Sequence, residues 1–241
     1  MIQFDILTLF PDFFKTPLSS SLTAKAISKK ILTIEVHDIR KFGKGKRRQV
    51  DDRPFGGGPG MVLKPDCLAD SLKQVAAQGQ KKLKEAKPHV IFLDPGGRAF
   101  NQERAQGLAR KRWIILICGH YEGVDERFKE LFVDEEISIG DYILSGGETA
   151  ALVLVDTIAR LIPGFLGKSD SAVFESFSKA KLDGKKVLLL DYPVYTRPET
   201  FAGKKVPKIL LSGNHSQITK WRLSKQIEKT KKRRPDLLRK Q

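Results

Sequence analysis

Three glycine-bearing stretches carry the residue types best suited to chemistry: Leu93-Asp-Pro-Gly-Gly97, Cys118-Gly-His-Tyr-Glu-Gly123 and Ile139-Gly-Asp-Tyr-Ile-Leu-Ser-Gly-Gly147. Where no Cβ stands in the way, backbone amides and carbonyls approach a bound molecule closely. The stretches therefore suit a backbone-built pocket for a flat, polar small molecule. Each follows an apolar run that reads as a strand, and open α/β sheets bind ligands beyond the carboxyl ends of their strands. None fits the phosphate-cradling Walker pattern or the Gly-x-Gly-x-x-Gly dinucleotide fingerprint, so a nucleoside without a pyrophosphate fits better. An ordinary strand-to-helix turn uses glycine for the same reason. Three such turns at one topological place favour the pocket.

A fourth glycine cluster, Asp51-Asp-Arg-Pro-Phe-Gly-Gly-Gly-Pro-Gly-Met61, is too glycine-rich to hold one conformation by itself. It suits a loop that closes over a ligand or admits a base taken out of its stack. The bland alternative is a mobile surface loop, against which Pro54 and Pro59 stiffen it at two points. Two cysteines (Cys67, Cys118) and four scattered histidines (His37, His89, His120, His215) give neither a disulfide framework nor metal-ligand spacing. No metal site is expected.

The elements that must position these turns alternate between strand-like and helix-like patterns, the signature of an α/β domain with a mostly parallel sheet. Strands are expected at 3–10, 31–39, 89–94, 113–118 and 131–139. Helices are expected from Pro11-Asp12, over 65–77, from an Asn101 cap to about Arg110, and over 148–162. Residues 40–60 read as a long loop and 78–87 as a polar, exposed linker. Pro163-Gly-Phe-Leu-Gly167 breaks the pattern. This gives a cofactor-binding α/β domain at 1–162, a linker at 163–174, and a small, mainly helical domain at 175–241 with helices at about 214–230 and 235–240.

The formal net charge is +16 over 241 residues. From Lys204 to Gln241 thirteen Lys or Arg stand against two acids, a net of +11 in that stretch. The run is interleaved with Ile209, Leu210, Ile218 and Trp221, so it belongs to a folded element. Basic residues beside an aromatic on a helix suit phosphate neutralisation and base stacking, and nucleic acid is the expected polyanion. No window reaches the about 18–20 uninterrupted apolar residues of a membrane span, and the N-terminus has neither a basic nor an apolar signal region. A cytoplasmic protein is expected.

Four motifs carry a resemblance: the 51–61 loop, Cys118-Gly-His-Tyr-Glu-Gly-Val-Asp-Glu-Arg127, Ser138-Ile-Gly-Asp-Tyr-Ile-Leu-Ser-Gly-Gly-Glu148 and Asp191-Tyr-Pro-Val-Tyr-Thr-Arg-Pro-Glu199. In this order they resemble the bacterial tRNA (guanine-N1)-methyltransferase family, which methylates guanine 37, and the resemblance runs from Leu9 to Asp236. It implies a SPOUT-class domain with a deep trefoil knot, a homodimer, S-adenosylmethionine as methyl donor and magnesium dependence. Knots are otherwise nearly absent from folds, and no periodicity suggests one. By position, the resemblance implies a cofactor pocket lined by Leu93, Pro95, Gly119, Tyr121, Glu122, Gly123, Ile139, Gly140, Asp141, Tyr142, Ile143, Leu144, Gly146 and Gly147. Arg160 matches the family's catalytic arginine, a cation suited to charge building on guanine O6; alternatively, it is a helix-end cation favoured by the dipole.

The chemistry also needs a base, because guanine N1 must lose its proton before attacking the sulfonium methyl. The family's usual aspartate corresponds to Glu175, in Val173-Phe-Glu-Ser-Phe177. The acid is kept and one methylene added. A second departure is the longer stretch between Ser178 and Leu190, which reads as an extra hairpin, and a third is Glu148-Thr-Ala-Ala151, where the family often has a proline. RNA contacts are expected from Gly58 and Pro59 of the glycine loop and from His215, Lys220, Arg222 and Lys225, with Trp221 either stacking or core. Two other functions compete: a non-catalytic RNA-binding protein on the same scaffold, and a ribose 2′-O-methyltransferase.

Overall fold

The computed structural model describes residues 1–83, 86–166, 175–182 and 184–239. They fall into two compact units, Met1–Gly167 and Lys168–Gln241. In chain order the first unit contains β1 (Ile2–Thr8), a 3-10 turn (Pro11–Phe14), α1 (Lys15–Leu18), α2 (Ser21–Ser28) and β2 (Leu32–Asp38). The short strands β3 (Asp51–Asp52) and β4 (Val62–Leu63), then α3 (Pro65–Lys82), β5 (His89–Ala99) and α4 (Gln102–Leu108) follow. The unit closes with β6 (Trp113–Cys118), α5 (Glu126–Phe132), β7 (Glu135–Ser138) and α6 (Glu148–Ala159).

Five strands form one parallel sheet in the order β2-β1-β6-β5-β7. Every residue of β1 and β6 is buried, as expected for strands covered on both faces. Side chains alternate between the faces. Phe4, Ile6, Ile114 and Leu116 pack with Leu154 and Ile158 of α6, while Leu7, Ile115 and Ile117 pack with Leu68 and Leu72 of α3 and Phe128 of α5. Because β6, β5 and β7 are parallel neighbours, the ends of β6 and β7 flank the middle of β5, which runs beyond the expected 89–94 to Ala99: Leu93 pairs with Cys118 on one flank and Ile137 on the other. That juxtaposition positions the site.

Two sequence expectations are corrected. Residues 131–134 do not open the last strand: Leu131 and Phe132 end α5, whose N-cap Asp125 accepts from the Arg127 amide at 3.0 Å. Phe128 and Phe132 lie one helical turn apart, with ring centroids 5.4 Å from each other. Likewise α3 continues to Lys82, so the first half of the expected 78–87 linker is helix. Gly79 is buried there because the indole of Trp113 lies against it, leaving no room for a Cβ. Trp113 Nε1 in turn donates to the buried Asp5 carboxylate at 2.7 Å.

The second unit opens with an antiparallel hairpin, β8 (Ser178–Leu182) and β9 (Lys185–Leu189), in the place where the long 178–190 stretch suggested one. A smaller pair, β10 (Thr200–Phe201) and β11 (Lys204–Lys205), precedes α7 (Lys208–Leu211) and α8 (His215–Arg233), and a 3-10 turn (Pro235–Leu238) ends the unit. The unit therefore holds two hairpins beside its helices. Asn214 caps α8 by accepting from the Gln217 amide at 3.1 Å. Val187 and Leu189 of the hairpin, Ile218 of α8 and Leu237 are buried. Of the expected linker, residues 167–174 lie outside the described residues.

Candidate cofactor pocket

The C-terminal ends of β6 and β7 and the bulged middle of β5 open into a cavity of about 250 Å³. Its lining includes Leu93 and Pro95; Gly119, Tyr121, Glu122 and Gly123; and Ile139, Gly140, Tyr142, Ile143, Leu144, Gly146 and Gly147. The structure brings these predicted pocket residues together from three chain segments. Asp141 is exposed and is not part of the lining.

Each wall has a local cause. Pairing between β5 and β7 shifts register between Leu93 and Arg98, so residues 94–97 bulge outward. Gly97 allows this, since a Cβ there would lie 2.5 Å from the backbone of Glu136. The Gly147 amide donates to the Gly119 carbonyl at 3.0 Å and joins the other two turns. Tyr121 holds a left-handed backbone, φ 61°, a costly conformation for a tyrosine that persists where surrounding contacts impose it. Such contacts are present. The neighbouring Glu122 amide donates to the Met61 carbonyl at 3.0 Å, and the Leu63 amide donates to the Gly123 carbonyl at 3.0 Å. The glycine-rich 51–61 loop is thereby stitched at its far end to the pocket turn, while Gly58 and Pro59 are exposed and Phe55 is 98% exposed.

Sequence reasoning missed the pocket's polar anchor. Glu148, the first residue of α6, is 4% exposed. Its Oε1 accepts from Thr8 Oγ1 at 2.5 Å, and its Oε2 lies 2.8 Å from Nε2 of His120, a pocket-lining residue. The partners are separated by 140 and 28 positions in the chain, so no local pattern could reveal them. Cys118 lies beneath this network, and burial, reinforced by the Glu148 charge, pushes its thiol pKa well above the usual range.

Arg160 caps the C-terminus of α6 and is absent from the lining. Twelve helical steps separate it from Glu148, roughly 18 Å along the axis. Glu175 opens the described part of the second unit, half-buried, and its carbonyl accepts from the Ser178 amide at 3.2 Å. Also in the second unit, His215 and Lys220 are exposed on α8, Arg222 lies over the Tyr192 ring at 4.7 Å, and Lys225 pairs with Glu228 at 2.6 Å. Among the described residues, one group has metal-ligand proximity, Asp5, Glu35 and His37. Its atoms are already engaged: Asp5 by Gln3, His37 and Trp113, and Glu35 by Lys82.

The composition of the pocket suits a small ligand with both polar and apolar parts. It combines apolar walls with backbone donors and acceptors from three turns, and the carboxylates Asp94 and Glu122 also line it. The sequence matches the family described as tRNA (Guanine-1)-methyltransferase TrmD over residues 2–240. A tRNA (guanine-N(1)-)-methyltransferase of Listeria monocytogenes is 47% identical over 237 residues, covering 98% of this chain and 92% of the relative. The protein of the same name from Endomicrobium trichonymphae is 47% identical over 242 residues, covering 99% of this chain and 100% of the relative. A third, from Citrifermentans bemidjiense, is 47% identical over 237 residues, covering 98% and 90%. With a match over nearly its whole length and relatives at this identity, the chain belongs to the tRNA (guanine-1)-methyltransferase family.

Proposed function

We propose that this protein transfers a methyl group from S-adenosylmethionine to N1 of a guanine in tRNA, at position 37. The observation that carries this reading is the convergence of three glycine turns, from adjacent parallel strands, on one backbone-lined cavity in a chain of this family. The cofactor supplies an electrophilic methyl on a sulfonium. Residues of the three turns would hold its nucleoside with backbone groups, and Leu93, Ile139 and Leu144 of the lining would supply apolar wall. Glu175 takes the N1 proton, and Arg160 offsets charge on O6. Magnesium dependence, which the family resemblance implies, finds no three-ligand cluster at the pocket among the described residues.

The same reading includes a homodimer. Within one chain Arg160 stands a helix length from the pocket wall, so a second copy is the natural way to bring a cation to it. Tyr142, Ile143 and Leu144 at the pocket and Val153 of α6 are 53%, 82%, 37% and 38% exposed, an apolar surface suited to burial against that copy. A SPOUT-type knot, a cytoplasmic location and a tRNA-binding role for the basic second unit belong to this reading too. No helix of the described residues is long and apolar enough to cross a membrane.

The test is transfer of labelled methyl to tRNA transcripts with guanine or adenine at position 37, followed by nucleoside analysis. Label as 1-methylguanosine on the first alone is expected. Equal label on both would sink the position, label on ribose would point to the 2′-O-methyltransferase alternative, and no label would favour the non-catalytic RNA binder.

A further inference from the structure

The segment between β9 and β10 lacks regular secondary structure, yet it is held along α8 at four places. The Leu190 amide donates to the buried Thr230 hydroxyl at 2.9 Å, and Lys229 Nζ donates to Asp191 at 2.5 Å. The Arg222 guanidinium lies 4.7 Å above the Tyr192 ring, and Tyr195 meets Trp221 with ring centroids 6.4 Å apart, tilted by 54°. The contacts run backwards along α8, from 230 to 221, so the segment lies antiparallel to the helix. They also settle the use of two residues. Trp221 is half-buried behind Tyr195, and Arg222 is stacked on Tyr192.

What this arrangement presents outward is Tyr195. The residue is 50% exposed although its segment is held at Leu190, Asp191 and Tyr192 and its own ring meets Trp221, and the adjoining Val194 is 81% exposed. Lys220 and Arg197 are exposed in the sequence neighbourhood of this pair, on a helix whose last turn adds Lys231, Lys232 and Arg233. An exposed aromatic on a rigid mount amid excess positive charge matches the chemistry of an unpaired nucleobase, which offers a π-face to stack and phosphates on either side. A double helix keeps its bases stacked internally and offers such a face only at its ends.

We propose that Tyr195, backed by Trp221, is a stacking platform for one unpaired base of the RNA substrate, with Lys220 on the adjoining phosphate. This deepens the proposed function and rests on it for the identity of the RNA. The platform discriminates loop from duplex. The phosphate contact adds affinity without discriminating.

The experiment uses the full-length chain without cofactor and measures Kd by fluorescence anisotropy. The probes are a tRNA anticodon stem–loop with 2-aminopurine in its loop and a blunt RNA duplex of equal length. Tyr195→Ala weakens stem–loop binding by roughly 5- to 100-fold, leaves duplex binding unchanged, abolishes 2-aminopurine quenching, and keeps the slope of log Kd against log salt. Tyr195→Phe restores affinity and quenching, since the ring and not the hydroxyl does the stacking. Lys220→Ala weakens both probes alike and lowers the salt slope by about one. Unchanged stem–loop affinity for Tyr195→Ala, equal losses on both probes, or no rescue by phenylalanine overturns the proposal. Methylation assays separate it from the parent reading: wild-type protein that quenches the loop but transfers no methyl leaves the platform standing and removes the enzyme.

Discussion

Glu148 and His120 meet at 2.8 Å beneath the pocket floor, and through Thr8 the same carboxylate reaches the C-terminal end of β1. Three elements, β1, the turn after β6 and the start of α6, are thereby fixed to one another. Substituting Thr8→Val keeps the shape and leaves Oε1 of a 4% exposed carboxylate without its donor. A destabilisation of about 1–3 kcal/mol is expected, more for a charged group. His120→Ala removes the pocket-side partner, so KM for S-adenosylmethionine rises several-fold more than kcat falls. Calorimetric unfolding and steady-state kinetics on the two variants check this. A kcat loss without any KM change in His120→Ala would remove the positioning role.

Much of the architecture was legible because period and punctuation agree. Trp113–Cys118 is an uninterrupted apolar run and became a fully buried strand; Asn101 was read as a cap and accepts from the Arg104 amide at 2.9 Å. The errors have physical causes. Residues 131–133 are an apolar triplet that suits a strand, yet the cap at Asp125 and the Phe128/Phe132 helical spacing place Leu131 and Phe132 in α5. Residues 78–82 look like linker because they are polar, whereas Gly79 there lets Trp113 approach α3, a contact between distant segments. The His120–Glu148–Thr8 network was invisible for the same reason. Glycine turns announced where the pocket is, and long-range polar contacts decide how it is held.

Gly147 tests the close approach of two pocket walls. A Cβ there would lie 2.7 Å from Cys118 Cα and 3.0 Å from the Gly119 amide nitrogen, both backbone atoms that cannot swing aside. Gly147→Ala is expected to destabilise the first unit by about 1–3 kcal/mol, lowering the melting temperature by roughly 2–4 °C per kcal/mol. Cofactor affinity falls with it, because the bond from the Gly147 amide to the Gly119 carbonyl must lengthen. An alanine variant that melts and binds as the parent does would show that the walls can separate freely.

Cys118 should be chemically silent in the folded chain. Burial and then the Glu148 charge hold its thiol well above the ordinary range, so the reactive thiolate is suppressed. Cys67 is shifted the same way, by burial first and Asp66 second. For a pKa raised on folding, the thiol is protonated in both states at low pH and its contribution is fully present there. As pH climbs past the unfolded thiol value of about 8.5, the unfolded chain ionises first and stability falls. Denaturation midpoints should therefore decline over that alkaline range in the parent and decline less in Cys118→Ala. Mass-mapped alkylation at mildly alkaline pH should label Cys118 only in denaturant; prompt labelling of native protein would contradict the buried placement.

Glu175 carries the remaining burden of the proposed chemistry. If its carboxylate takes the guanine N1 proton, Glu175→Gln preserves volume and hydrogen bonding while removing the acceptor, and kcat falls by about 10²- to 10⁴-fold. Kd values for tRNA and cofactor stay within a few-fold, since neither binding surface requires a negative charge there. Glu175→Asp withdraws the oxygen by one methylene. An active site built around the longer side chain then loses rate through misplacement, while one that tolerates either length keeps it. Single-turnover methyl transfer across pH separates these outcomes, because removal of the base also removes the acid limb of the rate profile. Undiminished turnover in Glu175→Gln transfers the role to another carboxylate. Asp191, whose carboxylate accepts from Lys229 Nζ, is then the next to test among the described residues.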